Sequence, residues 1–329
     1  MTITPTTTST ITPLISGYIE RTPLDVAQFN LVHLMFAKKG SVPKGGGTRW
    51  TARRPTKLTK QTSTLTEGVS PNNNALGVTD VAINLIQLGN FYTISDVAEQ
   101  TEPVDLAMMY GPLLQQNVAE SLDAVTKAAL VGGSTVYYAN SVAARANVNQ
   151  KLVANDLDRV IKFLQAQSAK PITDVMQPNG NIATSGLGAG YIMVAHPDVC
   201  SDLATSITGY KEVQAYASPA QRLPGEHGSY RNIRVLMSEN ADDGTGQTGA
   251  SGSTVYKNNA SNFYVYLCPI FGMNAYAAID FSNLEYTEVN TPSDSDPLGQ
   301  RKSTGWKQLF QAGRLNENWL VRLECAASL

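Results

Sequence analysis

The chain has 329 residues, of which 42% are apolar and only 16% charged, against about 25% charged in an ordinary soluble protein. A net charge of -2 argues against a dedicated nucleic-acid binder, three widely spaced cysteines (Cys200, Cys268, Cys325) exclude a disulfide framework or a thiolate metal knuckle, and no apolar run is long enough to span a membrane. A surface so poor in charge lacks a common device for staying monomeric, so much of it is expected to be committed to contacts.

The opening stretch MTITPTTTSTITP is rich in Thr and Pro, cannot build a core and is expected as an extended arm. It lacks the basic and apolar regions of a secretion signal, and with the scattered cysteines this points to a reducing compartment. PLDVAQFNLVHLMF then reads as a short helix with Pro23 in its first turn. A basic stretch follows: between Val26 and Thr66 lie Lys38, Lys39, Lys44, Arg49, Arg53, Arg54, Lys57 and Lys60, with no acidic residue. KGGGTRWTARRP reads as a glycine turn entering an alternating strand, TKQTSTLTEGVSPNNN as a polar link, and ALGVTDVAINLIQLGNFYTISD alternates again at Val81, Ile83, Leu85, Gln87, Phe91 and Thr93. Together they predict a long two-stranded excursion with a basic tip. Such a ribbon is marginal alone and must lie on its own body or on a neighbour.

Residues 105–130 carry the clearest helical pattern, with Leu106, Met109, Leu113, Leu122, Val125 and Ala129 near one face, a break or a new first turn expected near Gly111, before Pro112, and an end at Gly132–Gly133. A second helix is expected over 156–168, capped by Asn155, with Leu157, Val160, Ile161 and Leu164 inward. PNGNIATSGLGAG is a loop. YIMVAHPDVCSDLAT reads as a buried strand followed by a helix that Pro197 and Asp198 begin. NIRVLMSENA is a strand, DDGTGQTGASGSTVYKNN a long loop, and NFYVYLCPIFG, AYAAIDF, LEYTEVNT, WKQLFQAGRLN and WLVRLECAA are strands. The sum is an α+β protein with two main helices, many strands and no internal repeat.

Residue types that do chemistry are present but badly placed for it. His196 and Cys200 stand four apart, yet Pro197 puts the histidine at a strand end, beside a buried cysteine, rather than on a helical face with it. HExxH, GxSxG, GxGxxG and Walker-type loops are absent, and KGGGTR lacks the following helix and hydroxyl that would cradle a phosphate. Asp242/Asp243 and Asp294/Asp296 fall in small-residue turns that Asx hydrogen bonding explains, and DDGTGQTG lacks the full spacing of a calcium loop. Neither an enzyme nor a cofactor is expected. The polar stretch SDPLGQRKSTGWKQLF is read as a turn, shaped by Pro297 and Gly299, that aims Arg301 and Lys302 outward at another subunit; Trp306 anchors its exit, and the following strand is covered on both faces.

Several stretches, taken in order, resemble one family: LTEGVSP (65–71), VTDVAINLIQLGNFYTISDVAE (78–99), NVAESLDAVTKAALVGG (117–133), GYIMVAHPDVCSDL (190–203), GEHGSYRNIRVLMSENA (225–241), FGMNAYAAIDF (271–281) and DPLGQRKSTGWKQLFQAGRLNENWLVRLE (296–324). The chain resembles the major capsid proteins of tailed bacteriophages, in the family related to the major coat protein of Enterobacteria phage N-four. The resemblance implies the Hong Kong 97-like capsid fold: an N-terminal arm (1–43), an extended β-ribbon loop (44–93), a peripheral domain (94–149) with a spine helix at 105–130, an axial domain over roughly 150–280, and strands at 281–329 returning to the peripheral domain. It further implies self-assembly into pentamers and hexamers of an icosahedral virion shell, built in the host bacterial cytoplasm around double-stranded DNA held non-specifically on the inner face. A portal protein and scaffolding or decoration proteins would be the other partners, and no membrane is involved. Inter-subunit contacts are expected from Lys44, Arg49, Trp50, Arg53, Arg54, Lys57, Lys60 and Glu67 in the ribbon and from Arg301, Lys302 and Trp306. No lysine–asparagine crosslink is expected, because Glu67 alone does not make a catalytic glutamate for Lys57 or Lys60. The competing expectations are an encapsulin-like nanocompartment shell, a soluble nucleic-acid-binding protein, and a hydrolase using His196, Cys200 or a loop aspartate.

Overall fold

A computed structural model describes residues 31–62, 64–69, 75–101, 106–172, 190–215, 223–251, 256–259, 262–281, 284–289 and 297–328. Residues 1–30 of the arm expected over 1–43, most of the helix expected within it, the PNGNIATSGLGAG loop up to residue 189 and the pair Asp294/Asp296 lie outside these residues. The described end of that helix is a turn, with Met35 N–H donating to the Val32 carbonyl (3.3 Å) and Ala37 N–H to Leu34 (3.4 Å).

Among the described residues there are four α-helices: α1 (Asp96–Thr101), α2 (Leu106–Val131), α3 (Ala154–Ala166) and α4 (Pro197–Ser206). The strands are β1 (Lys38–Ser41), β2 (Arg49–Pro55), β3 (Val78–Asn84), β4 (Ile86–Ser95), β5 (Val136–Tyr138), β6 (Tyr191–Ala195), β7 (Lys211–Glu212), β8 (Glu226–Tyr230) and β9 (Ile233–Met237). They continue with β10 (Thr248–Ser251), β11 (Asn258–Asn259), β12 (Asn262–Tyr264), β13 (Tyr266–Phe271), β14 (Tyr276–Asp280), β15 (Glu285–Val289), β16 (Arg301–Arg314) and β17 (Leu320–Cys325). The chain divides into a larger unit (Phe29–Gly89, Val118–Glu285, Lys307–Leu329) and a smaller one that includes Asn90–Asn117 and Tyr286–Trp306.

The larger unit is built on a seven-stranded sheet in the order β5-β17-β13-β6-β9-β8-β7. Its central strands are apolar runs because both faces are covered. All five residues of β6 and all six of β13 are buried. Alternate residues enter different cores, as the two-residue period of a strand requires. Tyr191, Met193 and Ala195 of β6 pack with Leu157, Val160 and Leu164 of α3 and Val199 and Leu203 of α4. Ile192 and Val194 face the other way, into a core holding Leu130 of α2, Phe271 and Tyr276. Helix α3 buries the four residues its period predicts, but its cap is Val153 rather than Asn155. The Asp156 side chain accepts from Val153 N–H (3.3 Å) and from Asn140 N–H (3.2 Å), so the first turn is satisfied by a residue inside it.

Helix α2 runs unbroken through Pro112, against the expected break at Gly111. One missing N–H does not outweigh a helix of 26 residues. Its end lies where expected. Gly132 N–H returns to Ala128 O (3.0 Å), and a Cβ at Gly132 would meet Arg314 Nη1 at 2.9 Å. Arg314 donates to Ala129 O (2.9 Å) and Arg322 to Val131 O, so guanidinium groups from β16 and β17 occupy carbonyls that the helix leaves open. The segment 242–259 is not one loop but carries β10 and β11, in a small sheet of order β10-β12-β11. The NFYVYLCPIFG stretch, expected as one strand, is likewise two, β12 and β13. Small residues permit β10: a Cβ at Gly249 would sit 2.5 Å from Val148 O.

Among the described residues, buried charge is paired. Glu324, fully buried, accepts from Arg145 at 2.6 and 2.7 Å and from Arg322 at 2.8 Å. Asp123 of α2, 1% exposed, accepts from His33 N–H (3.0 Å), lies 2.7 Å from His33 Nδ1 and accepts from Asn240 (2.8 Å). The Tyr276 hydroxyl donates to His33 O at 2.6 Å. Burial pushes the Asp123 carboxyl up, but the hydrogen bonds and charge of His33 outweigh it and leave it below its ordinary range.

Candidate inter-subunit surface

Strands β2 and β3 form a separate two-stranded antiparallel ribbon, in register from Arg49 opposite Asn84 to Pro55 opposite Val78. Its two faces differ. Trp50, Ala52 and Arg54 share one face with Ile83, Val81 and Thr79, and the base of that face packs down: Ile83 is buried with Val42, Leu85, Ala277 and Ile279, and Trp50 lies against them. The fit is close enough that a Cβ at Gly313 would meet Ile83 Cδ1 at 2.7 Å. Arg54 Nη1 also reaches Leu315 O (3.3 Å). The ladder continues outward through Thr56 N–H to Gly77 O (2.8 Å).

Beyond that point the described ribbon residues are open to solvent. Lys44, Arg49, Arg53, Arg54, Lys57, Lys60 and Glu67 are all exposed. So are large apolar residues: Leu58 is 51% exposed, Leu65 70%, Val69 63% and Leu76 84%. The opposed pair Arg53 and Asp80 is 3.5 Å apart in open solvent and holds the ribbon little. The charge run was legible in the sequence; the exposed leucines were not, because TKLTKQTSTLT has no period that assigns them a side.

In the smaller unit the polar stretch before Trp306 corrects the expected turn. Strand β16 starts at Arg301, so Arg301 and Lys302 are strand residues. Lys302 Nζ reaches Glu99 of α1 (3.4 Å) and Glu288 of β15 (3.2 Å) instead of pointing away from its own subunit. These two carboxylates raise its pKa. Thr93 and Ser303 join their hydroxyls at 2.9 Å, and a Cβ at Gly305 would meet Phe91 Cβ at 2.6 Å, so β4 and β16 press together there. Trp306 is buried, with its indole N–H donating to Asn117 (3.2 Å). Asn117 was missed in the sequence because a lone helical asparagine gives no signal. All five residues of β15, an edge strand, are exposed.

No catalytic arrangement appears among the described residues. His196 caps α4, its ring accepting from Asp198 N–H (3.3 Å), while Cys200 is buried and donates weakly toward Ala195 O. Burial raises the Cys200 thiol, and a hydrogen bond with Cys325 together with burial raises that of Cys268. Asp242 and Asp243 make Asx turns to Gly244 N–H (2.9 Å) and Thr245 N–H (3.1 Å). No group of three His, Cys, Asp or Glu residues is placed to hold a metal among the described residues, and no described helix is long and apolar enough to cross a membrane.

No protein-family model and no curated protein matches the chain. Solved structures do match over nearly its whole length. The capsid of Ralstonia phage GP4 superposes with a TM-score of 0.68 at 12% identity, covering 96% of each chain. The acid-stable capsid of Helicobacter pylori bacteriophage KHP30 gives 0.66 at 11% identity, covering 99% of this chain and 98% of that one. The capsid of cyanophage P-SCSP1u gives 0.61 at 15% identity, covering 97% and 95%. Identities this low speak for the fold alone, and that fold is the α+β architecture of Hong Kong 97-like phage capsid chains.

Proposed function

We propose that this chain is the structural subunit of a closed protein shell, a phage major capsid protein. The observation that carries the reading is the β2–β3 ribbon: a separate two-stranded sheet with exposed leucines and lysines, on a chain that matches capsid chains end to end. A ribbon of this kind is stabilised by lying on another subunit. Its inter-subunit contacts are Lys44, Arg49, Trp50, Arg53, Arg54, Lys57, Lys60 and Glu67. Pentamers and hexamers build the icosahedral shell, which encloses double-stranded DNA; α2 is the spine helix, and the seven-stranded sheet forms the core of the axial domain. Portal, scaffolding or decoration proteins complete the particle in the bacterial cytoplasm. Many copies let individually weak contacts act together, so no covalent step is needed. Negative-stain electron microscopy of the concentrated purified chain tests this. Closed shells are expected; a monodisperse monomer at all salt concentrations and protein concentrations would sink the reading. Nuclease-protected DNA inside the shells distinguishes a capsid from a nanocompartment loaded with protein.

A further inference from the structure

Helix α4 begins at a joint between several segments of the larger unit. His196 follows β6 and caps the helix, Asp198 lies in its first turn, Tyr266 opens β13, and Lys257 stands just before β11. Three donors converge on one oxygen there. Asp198 Oδ2 accepts from Lys257 Nζ (2.6 Å) and from the Tyr266 hydroxyl (2.8 Å), and His196 Nδ1 lies 3.1 Å from it. The same Nδ1 accepts from Asp198 N–H at 3.3 Å. One ring nitrogen cannot serve both contacts at once. As an acceptor it caps the helix and leaves Oδ2 to the other two donors. Once it carries a proton it can only donate, and Oδ2 then has two lone pairs for three donors. The donor held least firmly is Lys257. Tyr266 is 1% exposed and stands on an interior strand, so its hydroxyl has no water to turn to, whereas the Lys257 side chain is 38% exposed and its ammonium can be hydrated where it stands.

We propose that His196 is a proton-operated switch: on taking up a proton at Nδ1 it displaces Lys257 from Asp198 and releases the segment Tyr256–Asn259 from α4. The switch belongs to the folded chain itself and is independent of the shell reading. Imidazole ordinarily changes charge between about pH 8 and pH 5, a range in which its neighbours keep theirs. Burial pushes the Asp198 carboxyl up, but the hydrogen bonds of Lys257 and Tyr266 and the charges of His196 and Lys257 outweigh it and leave it below its ordinary range. Burial and that carboxylate push the Tyr266 hydroxyl up, so it stays protonated. Among the described residues, Asp243 from the loop after β9 adds its charge on the ring, and Cys200, within α4, is buried with its thiol toward Ala195 O and neutral. Without its ion pair, the released segment keeps only ties to the chain's last residues and to its own small sheet: Lys257 N–H to Ala327 O (3.0 Å), Tyr264 N–H to Lys257 O (3.0 Å) and the Tyr256 ring edge-on to Phe263.

Hydrogen exchange of the full chain, followed by mass spectrometry at about pH 8 and about pH 5 with exchange times scaled for the intrinsic rate, tests the switch. Protection of β11 and β12 should fall about two- to fivefold at the lower pH, the worth of one part-exposed ion pair, while β6 and β13 stay protected. His196→Asn keeps a side-chain acceptor for Asp198 N–H but takes up no proton, so its protection of β11 and β12 should be the same at both pH values. Lys257→Met lacks the tie throughout and should show the lower protection at both. In the chain labelled with nitrogen-15 histidine, the His196 ring should pass from acceptor to protonated form over the same range in which protection falls. Equal protection at both pH values in the unaltered chain overturns the inference, as does a pH dependence that survives in His196→Asn. If that variant fails to fold, a pH dependence retained in Lys257→Met overturns it instead.

Discussion

At the scale of single residues, the buried acids set the pH behaviour. Asp123 has its pKa lowered in the folded state, so its contribution is fully present above the ordinary carboxylate range of about 4 and is lost as pH falls through the folded value. Asp123→Asn, which leaves His33 without its charged partner, should cost roughly 3 kcal/mol or more at neutral pH by urea denaturation and should flatten the acid limb of stability. Asp242 behaves oppositely. Burial raises its pKa against the Gly244 N–H bond, so its folded state is favoured while it is protonated, and that advantage is lost as pH rises through the carboxylate range to the folded value. Asn at position 242 still accepts from Gly244 N–H, so Asp242→Asn should raise the melting temperature at pH 7 and give little change near pH 3. Equal melting temperatures at pH 7 would show that the carboxylate is not penalised.

At the scale of elements, what the sequence revealed depended on where each element finds its partners. Strands β6 and β13 and helix α3 were legible because their apolar residues follow one period and both faces or one stripe are buried. The start of β16 was not, because RKST looks like a turn until Glu99, 203 residues away from Lys302 in the chain, and the hydroxyl of Thr93 are placed beside it. The ribbon's attachment can be tested at its root: Gly313→Val should strike Ile83 and cost about 1–3 kcal/mol in stability, measured by thermal unfolding. Its free end should behave differently. Arg53→Glu with Arg54→Glu is expected to reduce particle assembly severalfold with the melting temperature of the unassembled chain nearly unchanged, because both side chains are exposed and their own-chain contacts are weak.

At the scale of the whole molecule, a protein with few charged residues, the buried acids Glu324 and Asp123 paired within the chain and a separate, exposed two-stranded ribbon is suited to form many modest contacts rather than one strong one. Assembled particles should therefore run on denaturing gels as a single monomer band; a ladder would reveal covalent joining of subunits. The three cysteines give a means to watch that assembly as it happens. All are buried, so the native chain should be silent toward maleimides. A lone Lys60→Cys would place one accessible sulfur on the ribbon, and the rate at which it takes up a fluorescent label would fall, copy by copy, as each ribbon comes to rest on its neighbour.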